Sequence, residues 1–446
     1  MYPNLYYVFK DWFGVEWKAL SFLNTFGLMV ALGFLAAAWV LSLELKRKEK
    51  QGFFLPREEI ITVGKPASFF ELLTNGLIGF AFGYKFLGIF LSKAVDISPQ
   101  EYIFSKQGSI PGGIVLAAVL IYVKWKEKDK QKLKSPEHRT IRIWPHDRVG
   151  DIIILGLIFG ILGAKLFDNL EHWDDFWAHP IERLFSQSGL AFYGGLITAS
   201  IAICWYSYNK GIKLKYLVDA AAPALMIAYA IGRIGCQVSG DGDWGIYNSA
   251  YVSDNTGKVV LAKGDDFKNN LKNNETYYLQ GMVNDGAKAI YVTDRVYPTL
   301  DQVPHYAFVA PSFLPAWLFA YSYPQNVNKD GIIMPGITDE HNRVLPQPVF
   351  PTALFETIIC SFFFLIMWLK RRSIKAPMLM FGIYLALNGA ERILIERLRV
   401  NRFYDIMGFQ STQAQFIALC LLIGGISLII FSKLKNRNTD NFNIKS

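Results

Sequence analysis

The residues between Gly232 and Gly245 combine one arginine, two aspartates and several glycines, a mixture that suits the binding of an anion. Arg233 follows an apolar run that ends at Ile231, so its charge lies at the end of a predicted buried helix. A charge at membrane depth is costly and is by default a candidate for function. Glycine lets the backbone approach a ligand closely, and the planar guanidinium of arginine donates two parallel hydrogen bonds to phosphate. This stretch therefore predicts a site at a membrane surface for a ligand that carries phosphate.

A second group of unexpected charges lies in residues 388–399. Helical spacing puts Arg392, Glu396 and Arg399 on one face, at positions i, i+4 and i+7. Arg392 can pair with Glu396, which makes a buried arginine tolerable. A structural ion pair between helices is the alternative interpretation. Two arginines, Arg233 and Arg392, end helices that are both predicted to run outward, and this placement favours a functional role.

Five further candidates lie within predicted membrane spans, and each has a structural alternative. Lys165 lies near the external end of its span, where a lysine can also snorkel to the interface. Glu356 lies about two turns into its helix and can serve solely as a partner for a basic group. Paired glycines such as Gly194 and Gly195 usually indicate close helix packing, with a role for Tyr193 in the site as the alternative.

The composition is that of a membrane protein. Of the 446 residues, 52% are hydrophobic and 19% are charged, whereas soluble proteins carry about 25% charged residues. Apolar stretches of about 20 residues predict an all-α polytopic integral membrane protein with about nine transmembrane helices. The predicted spans are residues 19–45, 69–92, 110–123, 150–167, 188–208, 216–235, 349–369, 377–398 and 412–432.

The net charge of +9 comes from short basic clusters that all fall on one side of this topology. The positive-inside rule makes that side cytoplasmic, so the N-terminus is predicted outside and the C-terminus inside. Attraction to anionic membrane lipids explains the basic charge, and no nucleic acid partner is predicted. Five regions follow: 1–45, an external entry and the first span; 46–149, an inserted helix pair with basic cytoplasmic loops; 150–245, core spans with the glycine-arginine site; 246–348, an external soluble insertion of mixed or mostly non-helical structure; and 349–446, the C-terminal core spans and a cytoplasmic tail.

The four cysteines lie in or beside apolar segments and show no CxxC spacing. We therefore expect buried thiols rather than a disulfide or zinc framework, and Cys236 is predicted to be a small buried hydrophobe rather than a nucleophile. No cleavable signal peptide is expected, because no basic region precedes the first apolar run. We predict no metal and no cofactor, since the chain has neither a metal-ligand cluster nor a nucleotide-binding pattern.

Several motifs together resemble the prolipoprotein diacylglyceryl transferase family. The stretch Gly232-Arg233-Ile234-Gly235-Cys236 and the loop that ends at Trp244-Gly245 are similar to the family's Gly-Arg-x-Gly-Asn and following Trp-Gly. Weaker similarities occur in the right order at residues 26–29, 163–166, 192–196, 351–356 and 392–396. The resemblance covers roughly residues 19–45, 150–245 and 349–432. The chain has Tyr193, Phe26 and Cys236 where the family has histidine, tyrosine and asparagine.

The resemblance implies transfer of the diacylglyceryl group of phosphatidylglycerol to the lipobox cysteine of pre-lipoprotein signal peptides at the bacterial cytoplasmic (inner) membrane. Arg233 and Arg392 would stabilise the leaving phosphate, and Glu396 would hold Arg392. Tyr193, Asp243 and Glu396 all stay candidates for the base. The residues expected to contact substrate are Phe26, Lys165, Gly194, Gly195, Gly235, Cys236, Gly245, Glu356 and Arg399. The alternatives are a membrane transporter or phospholipid-binding protein that uses the same arginines, and a relative that has lost catalysis.

Overall fold

The computed structural model describes residues 1–91, 102, 105–185, 191–254, 256–285, 288–400, 404–406 and 409–445. Within these ranges, five helices are long and apolar enough to cross a membrane: Thr25–Lys50, Pro145–Glu171, Leu214–Ser239, Thr352–Lys370 and Gln413–Asn436. The chain is therefore a multi-pass, helix-rich membrane protein. Helices also occupy the other four predicted positions, but they are short, interrupted or charged.

The helices in chain order are α1 (Leu5–Phe13), α2 (Thr25–Lys50), α3 (Phe69–Phe82), α4 (Gly88–Leu91), α5 (Ile110–Lys130), α6 (Val149–Glu171), α7 (Trp173–Ala178), α8 (Pro180–Phe185), α9 (Phe192–Asn209), α10 (Leu214–Ser239), α11 (Asp266–Asn273), α12 (Glu275–Gln280), α13 (Thr352–Lys370), α14 (Leu379–Glu396) and α15 (Gln413–Lys445). A π-helical turn, Gly83–Leu87, separates α3 from α4. The strands are β1 (Arg57–Val63), β2 (Glu137–Ile143), β3 (Tyr247–Asn248), β4 (Tyr251–Ser253), β5 (Val259–Leu261), β6 (Met282–Asp285), β7 (Lys288–Tyr291), β8 (His305–Tyr306), β9 (Ile332–Ile333), β10 (Arg343–Val344), β11 (Tyr404–Ile406) and β12 (Phe409–Ser411).

The chain forms two compact units. The larger unit comprises Met1–Phe13, Leu23–Glu44 and Lys215–Ser446, and the smaller unit comprises Gly14–Phe22 and Leu45–Leu214. In the smaller unit β1 and β2 form an antiparallel pair that runs from Arg57 opposite Ile143 to Val63 opposite Glu137. The sequence predicted only loops there. Both segments are rich in β-branched residues, which favour strands. Charged residues interspersed within each segment obscured that signal.

In the larger unit, polar and glycine contacts fix the position of α14, the helix that carries Arg392. The buried carboxylate of Asp219 on α10 accepts hydrogen bonds from the backbone N–H groups of Met378 (2.8 Å) and Phe381 (3.0 Å) at the start of α14. These N–H groups have no partner within the helix. Further along, a Cβ atom on Gly389 would lie 2.6 Å from the carbonyl oxygen of Ala418. Only glycine therefore allows α14 to pack this closely on α15.

Residues 246–348 contain short strand pairs, two short helices and irregular backbone, as the sequence predicted for the insertion. Their core is mainly aromatic: Trp244, Tyr247, Phe267, Tyr277, Tyr278, Tyr323 and Leu345 are all buried. Trp244 stands only two residues before the insertion. The core of the insertion therefore begins in the glycine-rich loop that follows α10.

Asp330 gives this insertion a predicted pH dependence. Its buried carboxyl group accepts a hydrogen bond from the Tyr277 hydroxyl (2.7 Å), and burial raises its pKa from 3.8 to about 6. Because the folded state disfavours the charged form of Asp330, the stability of the folded state falls as pH rises from about 4 to about 6. We expect Asp330→Asn to raise the free energy of unfolding by about 2 kcal/mol at pH 7.5 and to have little effect at pH 4.

Thermal unfolding of the purified chain in detergent at both pH values checks this prediction. Asp265→Asn, at an exposed position of the same insertion, is the control and should leave the transition unchanged. An equal gain at pH 4 and pH 7.5 would show that ionisation of Asp330 does not limit stability.

Candidate functional site

The site is built in the larger unit where the ends of three helices meet one loop. Arg233 lies near the end of α10, Glu356 lies in the second turn of α13, and Arg392 lies near the end of α14. The glycine loop, residues 240–245, follows α10. Gly240 and Gly242 have φ angles of +68° and +79°, in the left-handed region that side chains rarely tolerate. The two glycines therefore let the loop turn back over the helix ends.

Glu356 is the centre of the charge cluster. Its side chain is fully buried, and it accepts hydrogen bonds from Arg233 Nε and from Arg392 Nη1, the latter at 3.1 Å. Arg399 Nη1 lies 3.5 Å from the same Oε1 atom. A buried carboxylate is tolerated only when it is paired, and here three guanidinium groups surround one carboxylate. The structure thus gives Glu356 the role of a partner for basic groups, which was the structural alternative.

Asp243 joins two of these arginines from the loop side. Its Oδ2 atom accepts from Arg233 Nη1, and its Oδ1 atom accepts from Arg399 Nη2. Burial by itself would raise the pKa of Asp243, but the two guanidinium groups lower it to about 2. The Thr352 hydroxyl donates to the Asp243 backbone carbonyl (2.6 Å) and fixes the loop on α13. Asp243 is thus an ionised carboxylate that bridges Arg233 and Arg399.

Arg233 keeps one hydrogen-bonding group unused. Its Nη2 atom is buried and has no hydrogen-bond partner within the described ranges. A buried donor without a partner is costly, so this nitrogen is a natural contact for an oxygen atom of a bound ligand. The side chain is otherwise held by Glu356, by Asp243 and by a contact of 3.4 Å from Nη1 to the thiol of Cys236.

Glu396 lies at the far side of Arg392. Its Oε2 atom is 3.5 Å from Arg392 Nη2, as the helical spacing predicted, and its Oε1 atom accepts from the Thr412 hydroxyl (2.7 Å). The contact between Arg392 and Glu356 is shorter, at 3.1 Å. Arg392 is therefore held from two sides, and Glu356 is the closer of its two carboxylate partners.

Gly235 allows the first span to approach α10. A Cβ atom at this position would lie 3.0 Å from Met29 Cβ and 3.2 Å from Phe26 Cδ2. Phe26 is thus brought next to the turn of helix that bears Arg233 and Cys236. The Cys236 thiol is buried, in agreement with its expected character as a small buried side chain, and Cys360 is buried as well. The expectation of buried thiols was wrong for Cys204 and Cys420, which are exposed.

Gly245 holds the glycine loop against the residues that precede Arg399. The Gly245 N–H donates to the carbonyl of Phe350 (2.8 Å), and a Cβ atom on Gly245 would lie 2.5 Å from Leu398 O and 2.9 Å from Thr352 Cγ2. We expect Gly245→Ala to push Asp243 and Arg399 apart, to cost about 2 kcal/mol of stability and to lower activity more than tenfold.

Gly232→Ala is the matched control for Gly245→Ala, because a Cβ atom there meets nothing within 4 Å. Activity and thermal unfolding of the two variants, measured side by side, check the prediction. Equal behaviour of both variants would mean that close contact at Gly245 is not required.

The other predicted site residues, Lys165, Tyr193, Gly194 and Gly195, belong to the smaller unit. Lys165 and Tyr193 are half-buried there. A Cβ atom on Gly195 would lie 2.7 Å from the carbonyl oxygen of Gly160. The paired glycines thus permit close packing of α9 on α6, which was the structural alternative for this motif.

Two charged residues were missed by the sequence reasoning. Arg295, in the insertion, donates from Nη2 to the carbonyl of Gly242, and its guanidinium group lies 5.1 Å from the centre of the Trp244 ring. Nothing local in the sequence predicts that contact. Glu391 is buried beside Arg392 in the chain, and within the described ranges neither of its carboxylate oxygens has a hydrogen-bond partner. The sequence signal that could have identified Glu391 is its position as a charged residue inside a predicted membrane span.

Comparison with known proteins identifies the family of the chain. The sequence model of prolipoprotein diacylglyceryl transferase matches residues 109–431. That range begins after the first span, so the resemblance of residues 19–45 lies outside it, and it includes the insertion. Three proteins named phosphatidylglycerol–prolipoprotein diacylglyceryl transferase are similar to parts of the chain. The protein from Leptospira interrogans is 32% identical over 154 residues, which cover 29% of this chain and 45% of that protein.

The proteins from Streptococcus agalactiae and Streptococcus pyogenes are 34% and 33% identical over 127 residues, and each alignment covers 28% of this chain and 44% of the relative. The chain thus spans slightly less than half the length of the curated relatives that it matches. The family model covers well over half of the chain. The chain therefore belongs to the prolipoprotein diacylglyceryl transferase family.

Proposed function

We propose that this chain transfers the diacylglyceryl group of phosphatidylglycerol to the lipobox cysteine of pre-lipoproteins and releases glycerol phosphate. Family membership and the names of the relatives support this assignment. The thiolate sulfur attacks the glycerol carbon that bears the phosphate. A carbon–sulfur bond forms, and the carbon–oxygen bond breaks with its electron pair on the phosphate oxygen. The thiol proton passes to a base, because the thiolate is the reactive form.

The observation that carries the proposal is the bridge from Arg233 to Arg399 through Asp243. An anion already occupies the position between two arginines, and that anion stands on a loop rather than on a helix. A phosphate group has the same sign of charge and more acceptor oxygens, so it can replace the carboxylate. The unused Nη2 atom of Arg233 adds a further donor. Preorganised arginines, which are already in position before the reaction, then stabilise the negative charge that develops on the leaving phosphate.

Displacement of Asp243 also supplies a base. Its pKa is about 2 while it is paired with the two arginines, and a group with so low a pKa accepts a proton poorly. When phosphate takes its place, Asp243 loses these cationic neighbours and its pKa rises. We therefore assign proton transfer to Asp243 in the substrate-bound state, and Glu396 and Tyr193 are the alternatives.

A transfer assay on the purified full chain tests the proposed reaction. Phosphatidylglycerol labelled in its diacylglycerol part is mixed with a peptide that bears a lipobox cysteine, and the Cys→Ser peptide is the control. We expect label on the cysteine peptide alone. Saturable binding of phosphatidylglycerol without transfer would instead indicate a phospholipid-binding relative that has lost catalysis.

Asp243→Asn tests the second role of this carboxylate. We expect kcat to fall about 100-fold, while KM for phosphatidylglycerol stays the same or falls, because asparagine does not compete with phosphate for the arginines. Asp241→Asn, on the same loop, is the control and should change kcat far less. A raised KM with an unchanged kcat would mean that Asp243 only positions the arginines.

For the topology we propose nine spans across a bacterial inner membrane. The N-terminus then lies outside and the C-terminus lies in the cytoplasm. The helices in residues 69–91, 110–130, 192–209 and 379–396 would supply the four spans beyond the five apolar ones. In this arrangement the insertion, residues 246–348, is external. It lies on the side of the membrane at which α10 ends and the glycine loop begins. Signal peptides would reach the site from that side, and membrane lipids would surround the spans.

A further inference from the structure

Residues 306–319, here named the aromatic loop, form an uncharged segment inside an otherwise polar insertion. No Asp, Glu, Lys or Arg occurs from residue 302 to residue 328. Large apolar side chains of the loop are nevertheless exposed: Phe313 is 81% exposed, Tyr306 and Val309 are each 58% exposed, and Trp317 is 50% exposed. Several exposed apolar side chains within one short, uncharged loop make it a candidate interaction site.

The aromatic loop is held rigidly at its base. The side chain of Asn248 is buried, and its Nδ2 atom donates to the carbonyls of Phe308 (2.9 Å) and Phe319 (3.1 Å). The Phe308 N–H donates back to Asn248 Oδ1 (3.1 Å), and the Tyr251 hydroxyl accepts from the Ala310 N–H (2.9 Å). These bonds fix both ends of the loop, so Phe313 is exposed by a defined backbone rather than by a loose one.

The loop is continuous with one end of a membrane span. The Phe319 ring lies 6.1 Å from the ring of Phe355, in the first turn of α13, and the Tyr306 ring lies 6.4 Å from that of Phe350, just before this helix. Helix α13 is one of the apolar candidate spans, and it exposes Ile358 and Phe362 from its sides. Apolar side chains are therefore exposed both on the loop and along the helix that the loop contacts.

We propose that the aromatic loop inserts into the interfacial layer of the lipid bilayer beside α13. Tryptophan and tyrosine prefer this layer, because their rings are apolar and their N–H and O–H groups reach water. Phe313 and Val309 then lie among the upper acyl chains. The loop carries no charge, so this anchoring depends on apolar contact and is insensitive to salt, in contrast to attraction by the basic clusters.

Spin-label accessibility in the full chain tests this placement. The two exposed cysteines, Cys204 and Cys420, are first replaced by serine, whereas Cys236 and Cys360 are buried. One label is then placed through Phe313→Cys, and a second loop reporter uses Val309→Cys. The reference for lipid is Phe362→Cys on α13. The reference for water is Tyr291→Cys, at an exposed position of the insertion that is three residues from Lys288 and from Asp294. Each protein is reconstituted in nanodiscs of phosphatidylcholine and phosphatidylglycerol.

We expect labels at 313 and 309 to be relaxed more by oxygen, which dissolves in the bilayer, than by a nickel chelate, which stays in water. They should thus resemble position 362 and differ from position 291, at both 50 mM and 500 mM salt. Stronger relaxation by the nickel chelate at 313 and 309 would overturn the proposal. Weak relaxation by both reagents would overturn it as well, since it would mean that protein, such as a second copy of this chain, covers the loop.

Discussion

Arg233→Ala is expected to lower the rate of diacylglyceryl transfer by about 1,000-fold while the chain still folds and enters the membrane. The variant loses a side chain that donates hydrogen bonds to both Glu356 and Asp243, and with it the unused Nη2 donor. Folding should survive, because Arg392 and Arg399 still lie 3.1 Å and 3.5 Å from the buried carboxylate of Glu356. We expect the same pattern for Arg392→Ala.

One variant separates the contribution of the planar guanidinium group from that of its positive charge, and a second variant is the control. Arg233→Lys keeps the charge but loses the planar fork, so its activity should lie between those of the wild type and Arg233→Ala. Arg397→Ala removes an exposed arginine next to the end of α14 and should leave turnover unchanged. Initial rates of label transfer, together with thermal unfolding in detergent, give both readouts. Normal turnover in Arg233→Ala would remove this arginine from the site.

Glu356→Ala is expected to have the largest effect on folding, a loss of about 3–5 kcal/mol. Removal of this carboxylate leaves Arg233, Arg392 and Arg399 close together in a buried place. Asp243 and Glu396 compensate only part of that charge. Glu356→Gln should cost less, since the amide oxygen still accepts hydrogen bonds from the arginines. Yield and thermal unfolding of the detergent-purified chain measure the loss, and Glu340→Gln at an exposed position is the control.

A double variant tests whether charge balance causes this loss. Glu356→Ala combined with Arg392→Ala removes one charge of each sign, so it should be more stable than Glu356→Ala alone. A double variant that is less stable than Glu356→Ala would show that Glu356 contributes by packing rather than by neutralising the arginines. Activity is expected to be absent in both variants, and the readout is therefore stability alone.

Much of the fold is predictable from the sequence, because the length and apolar character of a span are local properties. Five of the nine predicted spans coincide with helices in the described ranges that are long and apolar enough to cross a membrane. Residues 246–348 contain the short elements that were expected there. The strands β1 and β2 were not predicted. Their pairing joins residues about 80 positions apart, and no local pattern specifies a partner at that distance.

For the site, the sequence alone determined which residues stand out: Arg233, Arg392 and Glu356 are charges inside apolar segments, and such charges are rare unless they are used or paired. Only the tertiary structure decided how they are arranged. It made Glu356 the shared partner of three arginines, put Asp243 between Arg233 and Arg399, and brought Arg295 to the glycine loop. The physical reason is that a charged residue inside an apolar segment can be recognised from that segment alone. The partner that neutralises it depends on which helices and loops pack together.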